Sequence, residues 1–145
     1  MLKVNNLTIA PLFREVNFYV PRGEIVTLMG PSGSGKSTLF SWMVGALSDD
    51  FQAQGELWLD DRRCDGLPVE QRGIGILFQD ALLFDQYSVG QNLLLALPAR
   101  ITGRARRERV QQALDSAGLN RHYASDPATL SGGERARVSL LRALL

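Results

Sequence analysis

Eight consecutive residues, Gly30-Pro31-Ser32-Gly33-Ser34-Gly35-Lys36-Ser37, constrain this chain more than any other segment, because they match the phosphate-loop pattern. That pattern carries meaning only between a strand and a helix, and both flanks fit. Glu24 to Met29 is almost continuously apolar, which predicts a strand buried on both faces of a parallel sheet. Beyond the loop, Leu39, Phe40, Met43, Val44, Ala46 and Leu47 fall at helical spacings, so an amphipathic helix is expected from Lys36 to about Leu47. Glycines allow successive backbone N–H groups to converge on phosphate oxygens, and the start of the helix adds its positive dipole end. Within this cradle of Gly30, Pro31, Ser32, Gly33, Ser34 and Gly35, Lys36 is placed as a cation for β- and γ-phosphates. Ser37 is placed to ligate Mg²⁺, and Thr38 lies within reach of an α-phosphate. The chain otherwise uses arginine, with Lys3 its one further lysine, so a compact ammonium at position 36 suits a loop wrapped around one phosphate.

The rest of the chain places this loop in a mixed fold. Its 145 residues leave room for one domain of ordinary size, and 45% hydrophobic residues allow a packed core. A formal charge of +1 provides no overall field for nucleic acid, and none is expected as a partner. Cys64 stands alone, which excludes an internal disulfide and a cysteine-rich zinc site and fits a reducing compartment. No apolar run approaches the roughly 18 residues of a membrane span, and Met1 to Ala10 carries no signal-peptide pattern, so a cytoplasmic protein is expected. Alternation predicts strands at Leu2–Ile9, Val16–Val20 and Gly55–Asp60, with a short buried strand at Ile74–Phe78. Helices are expected over Val89–Leu97, Arg104–Gly118 and from Ser131 to Leu145, the last opened by a capping box of Ser131 and Glu134. The resulting division is a β-rich phosphate-loop core at 1–87, a helical segment at 88–129 and a final motif and helix at 130–145.

A second candidate site lies in Leu130-Ser131-Gly132-Gly133-Glu134, where a serine hydroxyl and two glycine N–H groups open a helix N-terminus. One triphosphate has no need of two such sites in one chain, unless the second serves a nucleotide bound to another copy. With these motifs in this order, the chain resembles the ATP-binding subunits of ABC transporters, of the bacterial importer type, over essentially its whole length. The resemblance rests on the phosphate loop, on Ile76-Leu77-Phe78-Gln79-Asp80 as a Q-loop, and on Leu130 to Glu134 as the signature motif leading into Arg135 to Leu145. It implies an α/β P-loop NTPase core of the ABC ATPase type, with an N-terminal antiparallel β subdomain and an α-helical subdomain. It also implies ATP and Mg²⁺ as cofactors, an ATP-sandwich homodimer, transmembrane permease subunits and, indirectly, a substrate-binding protein as partners. The protein would be cytoplasmic and peripheral on the inner face of the cell membrane. Carried onto this sequence, the resemblance gives Lys36 and Gln79 catalytic parts, with Gln79 reaching Mg²⁺ and the attacking water beside Ser37. Ser131 and Gly133 would contact the γ-phosphate held by the second copy, and Asp80 to Tyr87 would border the groove for a permease helix.

The sequence also departs from that pattern. Members of the family follow the signature helix with a buried strand ending in an acidic pair, and no such pair follows a hydrophobic strand here. The general base is therefore unassigned, and the chain reads as a shortened product lacking part of its sheet. Two other readings stay open: a soluble member of the superfamily acting in DNA repair or translation, and a nucleotide-binding fragment without turnover. His122 precedes the signature and cannot be the family's switch histidine; local hydrogen bonding is expected of it. Phe13 is the nearest aromatic for stacking on adenine, with a place in the core as its alternative. Trp42 and Trp58 read as core or interface residues, the arginines at 100, 104, 106, 107 and 109 as a solvated face, and Cys64 as a turn residue without a redox role.

Overall fold

The computed structural model describes all residues from Met1 to Leu145, which form two compact units, Met1–Ile74 and Gly75–Leu145. In the first, β1 (Leu2–Ala10) pairs antiparallel with β2 (Phe13–Val20) on one edge and with β3 (Gln52–Leu59) on the other. β4 (Arg62–Arg63) continues the sheet in the order β2-β1-β3-β4. Strict alternation along β1 would bury Val4 and expose Leu7, yet both are buried. An irregularity between them shifts the phase. There Asn6 takes a positive φ of 48°, its N–H donating to the Asn17 side-chain oxygen at 2.8 Å. The facing Gly55 is required by contact, since a Cβ on it would lie 2.7 Å from the Leu7 Cα.

Helix α1 (Lys36–Val44) packs Leu39, Trp42 and Met43 with Val4, Leu7, Ile9, Leu57 and Cys64. It stops three residues short of the expected Leu47, because Gly45 turns left-handed (φ 88°) and gives its N–H to the Ser41 and Trp42 carbonyls. Short α2 (Val69–Arg72) closes the unit and carries a buried cation. The Arg72 guanidinium donates to the carbonyls of Trp42 (2.8 Å), Met43 (3.2 Å), Leu67 (2.8 Å) and Asp65 (2.7 Å). Two of these belong to the last turn of α1, where the helix dipole is negative and a cation is favoured. Gly45 makes room for it, a Cβ there falling 2.7 Å from Arg72 Nε.

One expectation fails in this unit. Glu24–Met29 is not a strand, and Ile25 and Met29 are 95% and 91% exposed. A strand buried on both faces depends on hydrogen-bonded neighbours at each edge and on covering helices. The four strands of this sheet pair with one another and leave that segment irregular and outside the sheet. The expected strand at Ile74–Phe78 is likewise irregular, with Leu77 and Phe78 half exposed.

In the second unit α3 (Val89–Leu94), α4 (Arg104–Ser116) and α5 (Gly132–Leu144) surround Val89, Leu93, Leu97, Val110, Leu114, Leu119, Leu130 and Val138. Fully buried Asn92 on α3 accepts from the Phe84 N–H at 2.8 Å and donates to the carbonyls of Phe84, Tyr87 and Ser88 at 3.0 to 3.1 Å. Arg142 of α5 donates to the Leu82 carbonyl at 2.7 Å, so the segment before α3 is held from two helices. The arginine-rich stretch is not uniformly solvated. Arg106 donates to the carbonyls of Leu94, Leu97, Pro98 and Ile101, and Arg107 lies 5.0 Å over the Tyr123 ring, while Arg104 pairs with Glu108 on the surface.

Candidate functional site

Gly35 is the N-cap of α1 with φ 88°, and a glycine cap supplies no side chain to the first-turn N–H groups. The first turn contains no acidic residue either. The donors at the start of α1, from Gly35 to Thr38, are thus uncapped by side chains, and the first intrahelical bond is that of the Leu39 N–H to the Gly35 carbonyl at 2.8 Å. They border an open cleft of about 370 Å³ lined by Leu12, Ser32, Gly33, Gly35, Lys36, Ser37, Thr38 and Phe51. Six of the expected loop residues, Ser32, Gly33, Gly35, Lys36, Ser37 and Thr38, line the cleft beside two apolar neighbours, Leu12 and Phe51, that sequence reading missed; Gly30, Pro31 and Ser34 do not line it. Phe51 arrives there because β3 begins opposite the end of β1, with Gln52 facing Ala10.

Lys36 bends back over its own loop. Its ammonium donates to the carbonyls of Gly30 and Pro31, both at 2.7 Å, and to Ser34 Oγ at 3.3 Å. Gly35 is needed sterically, since at its φ of 88° a Cβ would fall 2.9 Å from Phe13 Cε1. Phe13 therefore packs its half-buried ring against the loop glycine, which is the core alternative rather than a free stacking surface.

Gln79 lies in the other unit, on an exposed bend rather than at the end of a strand. The signature residues are also in that unit, and there the expected geometry is present. Buried Leu130 anchors the motif in the helical core, while Ser131, Gly132 and Gly133 are exposed at the N-terminus of α5. Ser131 Oγ accepts from the Glu134 N–H at 3.3 Å, and the Ser131 N–H donates back to Glu134 Oε2 at 2.8 Å, a complete capping box. These Ser131 bonds, from its backbone N–H first and its hydroxyl second, hold the Glu134 carboxyl below the usual range, with His122 and Arg137 adding to the effect. Trp58, unlike Trp42, is only partly buried, and it donates through Nε1 to Glu56 Oε2 at 3.0 Å.

The starts of α1, α3 and α5 differ in what they offer an anion. At α3 the Val89 and Gly90 N–H groups are already taken by the carbonyls of Ser125 (2.9 Å) and Tyr123 (2.8 Å). At α1 they are free of side-chain caps, and at α5 the exposed glycines share the turn with a carboxylate.

A family model described as ABC transporter matches residues 13–145. The ABC transporter ATP-binding protein YnjD of Escherichia coli is 64% identical over the whole of this chain, which spans 69% of that protein. The thiamine import ATP-binding protein ThiQ of Haemophilus influenzae is 39% identical over 89% of the chain and 59% of its own length. The Fe(3+) ions import ATP-binding protein FbpC of Streptomyces avermitilis is 42% identical, with 37% of its length spanned. Among solved structures, the dimeric bacterial ABC transporter cassette MJ0796 superposes with a TM-score of 0.77 at 29% identity, over 99% of this chain and 69% of that one. A second structure of that cassette, in a post-hydrolysis state bound to ADP and Pi, gives a TM-score of 0.76 at the same identity and coverage. No helix here is long and apolar enough to cross a membrane.

Proposed function

The chain belongs to the ABC transporter ATP-binding family, and from that membership we propose that it is the ATP-binding, energy-coupling part of an importer working at the inner face of a membrane. The observation that carries this reading is the uncapped start of α1, whose backbone donors and single lysine border one cleft with no carboxylate in the first turn. The cradle Gly30 to Thr38 binds the triphosphate of ATP, and Lys36 exchanges its loop carbonyls for phosphate oxygens. Ser131 and Gly133 of a second copy cover the γ-phosphate in a head-to-tail pair, in keeping with the dimeric cassette the chain superposes on. Permease subunits receive the closure through Gln79 and the segment Asp80 to Tyr87, and the import proteins among the relatives support that direction of transport.

Mg²⁺ fits the residues present. Ser37 offers one hard oxygen at the cleft, which suits an ion that keeps phosphate oxygens and waters as its other ligands. There it would neutralise phosphate charge. Hydrolysis of the bound ATP is the activity that family membership supports. The test is calorimetric titration with ATP. Lys36→Ala should abolish measurable binding while circular dichroism stays unchanged, and a variant that binds ATP like the parent refutes the assignment.

A further inference from the structure

The signature serine is already occupied, and the chain's only histidine stands behind its occupant. Ser131 has two protons to offer an oxyanion, those of its backbone N–H and its hydroxyl, and both go to the same carboxylate oxygen, Glu134 Oε2, at 2.8 and 2.9 Å. The exposed Gly132 and Gly133 are left as first-turn donors. A phosphate oxygen can take those directly, but it reaches Ser131 only by displacing Glu134, and it then sits beside a like charge. His122 approaches the other carboxylate oxygen, with Nε2 3.6 Å from Glu134 Oε1, while its Nδ1 shares a hydrogen bond with Ser125 Oγ at 3.2 Å. Both side chains are about two-thirds shielded, at 32% and 27% exposure. Arg137, one turn on, adds positive charge near Glu134 but is tied to the Ala117 carbonyl at 2.8 Å.

We propose that Glu134 holds Ser131 back from an incoming phosphate and that His122 offsets this hold, so that the pair sets how strongly the Ser131–Gly133 cap grips an oxyanion. His122 is a positioning residue that acts through Glu134. The inference rests on reading Ser131–Gly133 as a phosphate cap, as above. The chain contains its own control for the geometry. α3 opens with the same box built on a neutral side chain, Ser88 N–H donating to Gln91 Oε1 at 2.8 Å and Gln91 N–H to Ser88 Oγ at 3.2 Å. The charge of Glu134 is therefore dispensable for the fold of the cap.

The probe is inorganic phosphate titrated into the full chain, followed at the Gly132 and Gly133 amides by heteronuclear NMR. Glu134→Gln should tighten binding by about three- to tenfold, the range of one partly screened charge. His122→Ala should weaken it by about two- to threefold. The double variant should match Glu134→Gln alone, which a merely structural role for His122 would not produce. An unchanged affinity in Glu134→Gln, or a His122 effect that persists in the double variant, overturns the proposal. Ser131→Ala in the Glu134→Gln background separates the premise. If removing that hydroxyl leaves phosphate affinity unaltered, or if the two amides ignore phosphate in every variant, the cap reading is what fails.

Discussion

Replacing Arg72 by methionine should destabilise the first unit more than any other single truncation of a polar side chain in it. The substitution keeps the aliphatic stem and removes three donor nitrogens that serve four carbonyls. The Trp42 carbonyl retains the Gly45 N–H, whereas those of Met43, Asp65 and Leu67 lose the donors described above. Each carbonyl deprived in a shielded setting costs about 1 kcal/mol or more, and the lost interaction with the last turn of α1 adds up to about 2 kcal/mol. Removing the charge also relieves its own desolvation, so the net effect is expected at about 3 kcal/mol, a large share of the stability of a small domain. Arg72→Lys should fall between, because one ammonium cannot reach in the directions that the fork does. Both tryptophans, Trp42 and Trp58, lie in this unit, so fluorescence reports on it alone. In urea the midpoint should fall by about 1 to 2 M. A methionine variant whose midpoint stays within about 0.3 M of the parent would show that the buried guanidinium contributes no net stability, and the account of how α1 is held would be wrong.

Two further outcomes concern other parts of the chain. Asn92→Ala strands the Phe84 N–H and the Tyr87 carbonyl, while the Phe84 and Ser88 carbonyls keep the backbone N–H groups of Tyr87 and residue 92, so the second unit should lose about 2 to 3 kcal/mol and the Phe84 amide should exchange much faster with deuterium; unchanged exchange there would contradict the pinning of that segment. The Asp60 carboxyl is lowered from 3.8 to about 2 by the Arg22 hydrogen bond first and the chain's N-terminal ammonium second. Its contribution should be complete above the ordinary carboxylate range and vanish as pH falls through about 2, which an Asp60→Asn variant, flat across that acid window relative to the parent, would reveal.

What the sequence disclosed and what it hid divide along a physical line. The loop at Gly30 to Ser37 and the box at Ser131 and Glu134 were legible because each is made by residues close in sequence, where a glycine or a serine has a local conformational reason to be there. Glu24–Met29 was misread because apolar content reports what a segment would bury, not which strands are at hand to pair with it. Arg72, Asn92 and Arg106 were invisible as structural groups, since their partners are backbone carbonyls, which every residue possesses and no pattern marks. Gly45 was the one indirect sign, a left-handed stop that also clears space for a guanidinium.

The lysine folded onto its own loop bears on the proposed binding of nucleotide. Because the ammonium has carbonyl and hydroxyl acceptors waiting at Gly30, Pro31 and Ser34, a phosphate ligand would swap one set of oxygens for another, and its release would reverse the swap. Neither state would leave a bare cation, so release would not be opposed by a stranded charge, and stray anions meet a loop whose positive group is already engaged.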